Sequence, residues 1–298
     1  MTNRLRAMAG AATSLLAIAG AAIILQARDQ RHPSSATTER LLYLRSGATA
    51  DRLFLSFDTL AADIYWIRAI QHYGRDRKAA PGPGRFELLE PLLDLTTTLD
   101  PYFNIAYRFG AIFLSIQPPN GPGQPAEAIA LLEKGLARNP TRWQYAHDIA
   151  FIHYWYGSDF TKAAEWFERA SKMPRAPEWI KPMVPIMRAK GGDRAGARRM
   201  LAELMHADQP YIRQAAERGL MQVRALDALD ELQALVDRYV GVTGQFPLDW
   251  ADLMRVGLIR GVPADDSGVP FAIDGAIRRV TLSPSSRLGP LPQALVRR

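Results

Sequence analysis

The side chains best suited to chemistry in this chain are five histidines and a few aspartates, because the chain has no cysteine for thiol catalysis, disulfides or thiolate-bound zinc. The histidines lie at positions 32, 72, 147, 153 and 206. No two of them have the His-Glu-x-x-His spacing of a catalytic zinc site. Nucleophile-elbow, Walker and dinucleotide-binding motifs are also missing. The sequence therefore predicts no catalytic residue, no metal and no cofactor.

One aspartate stands apart because its neighbours are apolar. Asp63 lies within the run Leu60-Ala61-Ala62-Asp63-Ile64-Tyr65-Trp66. A carboxylate in such surroundings either pairs with a cation or titrates abnormally at a functional site. We predict that Asp63 pairs with Arg68 or Arg108. The alternative is an accessory subunit or an enzyme with an acidic site around Asp63.

A recurring pattern of packing residues predicts the helices that position these side chains. Each copy has a small residue, a bulky apolar residue four positions later and a further packing residue three positions after that. The copies are Ala128/Leu132/Gly135, Ala163/Phe167/Ala170 and Ala197/Leu201/Leu204, and they begin 35 and 34 residues apart. Pro140 and Pro174 follow with a 34-residue step. The small residue lets two helices approach, the bulky residue fills the gap between them, and the proline ends the helix.

This period resembles the tetratricopeptide repeat, a helix-turn-helix unit that stacks into a solenoid. The resemblance covers about residues 60–215. Phe109-Gly110 with Phe113 matches the family's Leu-Gly and Tyr positions, whereas Phe151 and Pro185 replace the glycine of the next two repeats. The resemblance predicts that helices over residues 102–115 and 126–138 pair antiparallel, and an ordinary helical bundle is the alternative.

An earlier, partly degenerate repeat is also expected. Trp66, Ala69 and Tyr73 fit its first helix, and residues 86–99 fit its second helix.

In that family the first helix of each repeat lines a concave groove that binds peptides. The resemblance implies the groove residues Asn104, Tyr107, Tyr145, Asp148, Ile152, Trp155, Tyr156 and Trp179. Aromatic side chains with scattered polar groups are typical of such binding surfaces. The alternative for each aromatic residue is a place in the core between repeats. The family's lysine clamp for a peptide carboxylate is missing, because Tyr107 occupies the lysine position.

The amino-terminal region predicts a membrane anchor. Between Arg6 and Arg28 there is no charged residue, and the 21 residues from 7 to 27 are enough to span a bilayer as a helix. We predict a tail over residues 1–6, a transmembrane signal anchor over 7–27 and a linker over 28–45. A signal peptide cleaved after Ala27 is the alternative, although the apolar region is longer than usual and Leu25 stands where a small residue is preferred.

The orientation of this anchor follows from the charges beside it. Arg4, Arg6 and the amino terminus favour a cytoplasmic amino terminus, while Arg28 and Arg31 weaken the asymmetry. A short tail before a large soluble part favours a single-pass protein of a bacterial cytoplasmic membrane with its soluble part in the periplasm.

Residues 216–290 predict a helix followed by a small α+β module. After a helix over 222–240 come a short helix over 249–256 and two strands, 269–273 and 276–283, that can pair around Asp274-Gly275. The region resembles the carboxy-terminal part of type II secretion pseudopilins. Asp266 replaces the second proline of that family's Pro-x-Asp-Pro-x-Gly-x-Pro-Tyr phrase, and Phe271 replaces its tyrosine.

In that family the loop can bind calcium, so Asp265, Asp266 and Asp274 are its candidate ligands here. Calcium takes six to eight oxygen ligands. Two adjacent aspartates supply too few, and we predict a polar turn without metal.

The basic charge of the chain is uneven. The net charge is +7, and from Gly275 to the end there are five arginines and no acid. Residues 291–298 form a basic tail that either attracts anionic lipid or is simply solvated. No nucleic-acid-binding motif accompanies the charge, so nucleic acid is not an expected partner.

These observations predict a mainly α protein. We expect a tetratricopeptide-like solenoid over residues 46–215, an amino-terminal transmembrane helix and a small carboxy-terminal α+β module with a β-hairpin. The expected function is that of a non-enzymatic, membrane-tethered adaptor that binds a protein or peptide partner in its groove. A role in bacterial envelope assembly or secretion rests on analogy, and the sequence does not specify an oligomeric state.

The anchor gives the first testable prediction. We expect the full chain in the membrane fraction, and we expect deletion of residues 7–27 to release it, because the apolar transfer energy is then lost. Protease treatment of spheroplasts should degrade the soluble part. A mature chain that begins at Arg28 would show cleavage instead, and protection from the protease would reverse the predicted orientation.

Overall fold

The computed structural model describes residue 20 and residues 58–292. The predicted tail, anchor and linker over residues 1–45 therefore lie outside the described residues, apart from Gly20. Within residues 58–292 the chain forms ten α-helices and one two-stranded antiparallel sheet. The helices are α1 Asp58–Lys78, α2 Leu89–Leu99, α3 Asn104–Ser115, α4 Pro125–Arg138, α5 Trp143–Ile152, α6 Phe160–Ser171, α7 Met183–Lys190, α8 Arg194–Leu204, α9 Pro210–Thr243 and α10 Trp250–Arg255. A π-helical turn, His153–Gly157, follows α5, and a 3-10 turn, Glu178–Ile180, precedes α7. The strands are β1 Ala272–Asp274 and β2 Arg279–Thr281.

Helices α3 and α4 form an antiparallel pair, as the sequence predicts. Gly110 lies beside Leu131, and Tyr107 lies beside Gly135, so the residue numbers run in opposite directions along the two helices. The loop between them is closed by a hydrogen bond of 2.7 Å from the amide of Gln124 to the carbonyl of Leu114.

The same arrangement recurs along the stack. Each helix from α1 to α9 packs against the next one in the chain. In α8 and α9, Leu201 lies beside Gly219 and Arg198 pairs with Asp227, which again fixes antiparallel helices. Helices two apart in the chain also touch, since the rings of Tyr107 in α3 and Tyr145 in α5 are 5.3 Å apart.

The predicted earlier repeat also has the expected packing. The ring of Phe113 in α3 stacks on Tyr73 of α1 at 4.4 Å and lies 6.2 Å from Trp66. Ala69 is fully buried beside them. Helix α2 lies within the predicted range 86–99.

The recurring triplets are packing residues. Their first two members, Ala128/Leu132, Ala163/Phe167 and Ala197/Leu201, are all buried. Two aspartates accompany them at the same 34-residue step and cap α6 and α8. Asp159 accepts a hydrogen bond of 3.0 Å from the amide of Lys162, and Asp193 accepts one of 2.8 Å from the amide of Gly196. Because such a side chain satisfies an otherwise unpaired amide, it sets the first residue of each helix.

Helix α9 joins the helical stack to the carboxy-terminal module. Its amino-terminal half packs on α8, and Leu232 and Val236 in its second half enter a core with Trp250 and Phe271. The indole of Trp250 donates a hydrogen bond of 2.7 Å to the carbonyl of Phe271. The predicted boundary between residues 215 and 216 falls inside α9, so one helix serves both parts.

The hairpin forms where it is predicted, but its turn differs. Asp274 pairs with Arg279, so the turn contains four residues rather than a two-residue turn at Asp274-Gly275. The carboxylate of Asp274 accepts a hydrogen bond of 2.9 Å from the amide of Ala276, and Arg278 has a positive φ of 53°. The side-chain hydrogen bond stabilises the longer turn, which the strand pattern alone does not reveal.

The glycine at the centre of the stack gives the second prediction. A Cβ atom on Gly135 would lie 3.0 Å from both Tyr107 and Tyr145, whose fully buried rings would have to shift against their neighbours. We therefore expect Gly135→Ala to lower the free energy of unfolding by about 1–3 kcal/mol. Urea unfolding followed by circular dichroism measures it.

Gly241 in α9 provides the matched control. Nothing lies within 4 Å of a Cβ atom at this exposed position. Gly241→Ala should therefore raise the stability by about 0.5–1 kcal/mol through helix propensity alone. Equal effects of the two substitutions would contradict the close approach at Gly135.

Candidate functional site

Apolar side chains are exposed on α3, in the last turn of α5 and in the π-helical turn that follows α5. In α3, Ile105, Phe109 and Ile112 are each about half exposed, at 51, 50 and 46 %. They follow the i, i+4, i+7 spacing of one helix face. Phe151 is 39 % exposed and Trp155 is 60 % exposed. We call these five residues the first-helix face.

The two aromatic residues of this face stack on each other. The rings of Phe151 and Trp155 lie 5.9 Å apart with an angle of 6° between their planes. Trp155 belongs to the π-helical turn, which ends at Ser158 in a left-handed conformation. Nearby, the ammonium group of Lys190 lies 4.9 Å from the ring centre of Tyr154. A π-helical turn is rare and is often found at functional sites, where it reorients side chains.

A bidentate ion pair links α3 to α5. Arg108 donates from Nε to Oδ2 of Asp148 at 2.5 Å and from Nη2 to Oδ1 at 3.1 Å. His147 Nδ1 lies 3.0 Å from Oδ1 of the same carboxylate. The hydrogen bond that Arg108 donates to Asp148 raises the pKa of Arg108, although burial opposes this shift. The pair therefore holds two first helices at a fixed offset.

This pairing corrects the prediction for Asp63. Arg108 binds Asp148, and Asp63 is exposed on α1 rather than enclosed by its apolar neighbours. The reason is geometric, because the apolar residues around Asp63 point to several sides of α1 and do not surround it. Arg68, the other predicted partner, lies with its guanidinium 5.8 Å from the ring centre of Tyr65.

Three of the predicted groove residues lie in the core. Tyr107, Tyr145 and Ile152 are 4 % exposed or less. Tyr107 donates a hydrogen bond of 3.2 Å to the carbonyl of Thr97, and burial raises its pKa to about 12. These positions face neighbouring helices, so a partner cannot reach them without opening the stack. The exposed face of α3 instead carries Ile105, Phe109 and Ile112.

The other predicted groove residues lie at separate places. Asp148 is in the ion pair, and Trp155 is in the aromatic stack. Asn104 is half-buried in the first turn of α3, and Tyr156 is half-buried in the π-helical turn. Trp179 is 44 % exposed in the 3-10 turn.

The surroundings of Trp179 are aromatic. Its ring meets His147 edge-on at 5.4 Å and Trp143 at 6.1 Å. His147 therefore contacts both Asp148 and Trp179 and links these two predicted groove residues.

A buried histidine and aspartate on α1 form a further polar cluster that the sequence pattern did not indicate. His72 and Asp76 are both buried, with Nε2 of His72 3.5 Å from Oδ2 of Asp76. Asp76 accepts a hydrogen bond of 2.7 Å from the amide of Phe86, and Arg75 Nη2 lies 2.9 Å from Nδ1 of His72. Burial lowers the pKa of His72. Other protein groups therefore occupy these side chains, and the cluster ties α1 to the segment before α2. The i, i+4 spacing of His72 and Asp76 is the sequence feature that could have indicated it.

The aspartates weighed as calcium ligands, for which the sequence favours a polar turn, also have protein partners. Oδ1 of Asp265 accepts hydrogen bonds from the amide and hydroxyl of Ser267 at 2.8 and 2.6 Å, and Oδ2 accepts one from Ser286. Burial opposes ionisation, but these hydrogen bonds lower the pKa of Asp265. Asp266 pairs with Arg224 at 2.6 Å. Within the described residues, no three histidine or acidic side chains form a group that could hold a metal ion.

The described helices do not include a membrane-spanning one. None of them combines the length and apolar character needed to cross a bilayer. The predicted anchor over residues 7–27 falls outside the part of the chain that the structure describes.

Compared with known proteins, the chain matches no family model, no curated protein and no solved structure.

The ion pair between α3 and α5 gives the third prediction. Removing one partner leaves a partly buried charge without its hydrogen bonds, so Asp148→Asn and Arg108→Gln should each lower the free energy of unfolding by about 1–2 kcal/mol. The double variant should lose less than the sum, with a coupling energy of about 1 kcal/mol in urea unfolding. Asp63→Asn, on the exposed side of α1, should change stability by less than about 0.5 kcal/mol. Additive losses would show that the pair does not couple the helices.

Proposed function

We propose that this chain is a non-enzymatic adaptor, tethered to a membrane, that binds a protein partner through the first-helix face. The observation that carries the proposal is the exposure of Ile105, Phe109, Ile112, Phe151 and Trp155 on neighbouring first helices. Exposed apolar residues that cluster in one region commonly mark interaction sites, whereas single ones need no explanation.

The architecture supports a tetratricopeptide-like solenoid. The antiparallel helix pairs, the buried small residues at a 34- or 35-residue step and the parallel contact between α3 and α5 are what such a repeat requires. In such a solenoid the first helices of successive repeats lie on the same side. A partner that lies across them would contact α3 and α5 together.

The chemistry of the first-helix face indicates how a protein partner would bind. Tryptophan and phenylalanine bury a large area with few rotatable bonds, which is why aromatic residues are frequent at binding hot spots. The Arg108–Asp148 pair links α3 to α5 and supplies polar groups for orientation. We therefore expect the partner to pack apolar side chains against Phe109 and Trp155.

The tether is the predicted anchor over residues 7–27, with the soluble part in the periplasm of a bacterium. The α+β module that follows α9 contains a short helix and a hairpin, the elements on which the resemblance to pseudopilins rests. A role in envelope assembly or secretion follows from that likeness by analogy alone.

The fourth prediction tests the first-helix face. The tagged full chain would be cross-linked in its own cells, solubilised in mild detergent, and its partner identified and then purified. The Phe109→Ala, Trp155→Ala double variant should bind that partner at least tenfold more weakly, because truncating a hot-spot residue costs about 2 kcal/mol or more.

The matched control removes two apolar side chains elsewhere. Tyr211 is 49 % exposed and Leu248 is 89 % exposed, and neither belongs to the first-helix face. The Tyr211→Ala, Leu248→Ala variant should bind the partner like the wild type. Wild-type affinity in a folded Phe109→Ala, Trp155→Ala variant would refute the proposed surface.

A further inference from the structure

A pocket lies where the loop before α5 meets the loop after α6. Its volume is about 700 Å³, within the range of about 300–1,000 Å³ that is usual for small-molecule sites. The polar and aromatic side chains that line it are Asn139, Thr141, Arg142, Trp143, Gln144 and Arg175. None of them belongs to the first-helix face.

The pocket carries positive charge that the described chain leaves uncompensated. Arg142 and Arg175 both line it, and among residues 58–292 neither guanidinium group has an ion-pair or hydrogen-bond partner. None of the described residues that line the pocket is acidic. Glu178, an acid in the following turn, already pairs with Lys181 at 2.6 Å. Two arginines in one concave site without a counter-ion favour an anionic ligand.

Uncharged groups in the wall complement the two arginines. The hydroxyl of Thr141 and the side-chain amide of Gln144 are hydrogen-bond donors. Helix α5 begins at Trp143 in this wall and has no side-chain cap. The amide of Tyr145 donates to the carbonyl of Arg142 at 3.2 Å, so the earlier amides of the first turn are the ones that add donors and a partial positive charge.

The indole of Trp143 supplies an apolar surface beside these donors. It meets His147 edge-on at 6.0 Å and Trp179 at 6.1 Å, contacts that fix its orientation. A ligand with an organic part as well as an anionic group would therefore contact both kinds of surface.

We propose that this pocket binds a small ligand that carries an oxyanion, either a phosphate or a carboxylate group, through Arg142 and Arg175. The planar guanidinium group can donate two parallel hydrogen bonds to either oxyanion, which a point charge cannot do. Trp143 packs against the organic part of the ligand. The proposal concerns a different surface from the adaptor function and stands independently of it.

Calorimetry on the full chain in mild detergent tests the pocket, with pyrophosphate and citrate as probes at constant ionic strength. We expect saturable binding of at least one probe and a dissociation constant at least tenfold higher in the Arg142→Gln, Arg175→Gly variant. Arg175 has a positive φ of 60°, which glycine adopts without strain, so this substitution removes the guanidinium group while the thermal midpoint without probe stays equal or rises.

The control variant loses the same charge elsewhere. Arg238 and Arg260 are exposed and do not line the pocket, so Arg238→Gln, Arg260→Gln should keep wild-type affinity. Binding of pyrophosphate alone identifies a phosphate ligand, and binding of citrate alone identifies a carboxylate ligand. An equal loss of affinity in the control variant, or saturable binding of neither probe, overturns the proposal.

Discussion

The close approach of three helices at Gly135 is the constraint on which the stack depends. A Cβ atom at this residue would lie 3.0 Å from the rings of Tyr107 in α3 and Tyr145 in α5. Both rings are fully buried, so a side chain at position 135 would separate α4 from its two neighbours. Gly110 and Gly219 serve the same purpose against Leu93 and Leu201. Because these contacts fix the register of successive helices, they also fix which side of each helix remains outside.

The exposed face of α3 follows directly from that register. Its buried side holds Ala106, Tyr107, Gly110, Ala111 and Leu114 between α2 and α4. A helix of 3.6 residues per turn then turns positions 105, 109 and 112 away from the core. Within the described residues these side chains are only partly packed: about half of each is exposed, although the ring of Phe109 lies 6.5 Å from that of Phe113. Their remaining exposed apolar surface is what the proposed partner would cover.

The sequence predicts the packing well and the surface poorly, for one physical reason. A recurring small residue must lie at a helix contact, so Ala128, Ala163 and Ala197 identified the paired helices. A groove position has no such requirement, and an error of one or two residues rotates a side chain by 100° or 200° around its helix. Tyr107 was thus predicted as a groove residue although it is buried, while Phe109, two residues on, is exposed.

The arginines discussed above fall into two groups: some pair with an acid on another helix, and others lie in loops that line a pocket. Arg108, Arg188 and Arg198 each bind an acid on another helix, where a bidentate or short contact fixes the offset between neighbours. Such pairs can be predicted only in three dimensions, because their partners are 40, 20 and 29 residues away in the chain. Arg142 and Arg175 lie in loops, where no neighbouring helix needs aligning. Both are exposed and line one pocket, where the proposed anionic ligand would contact them.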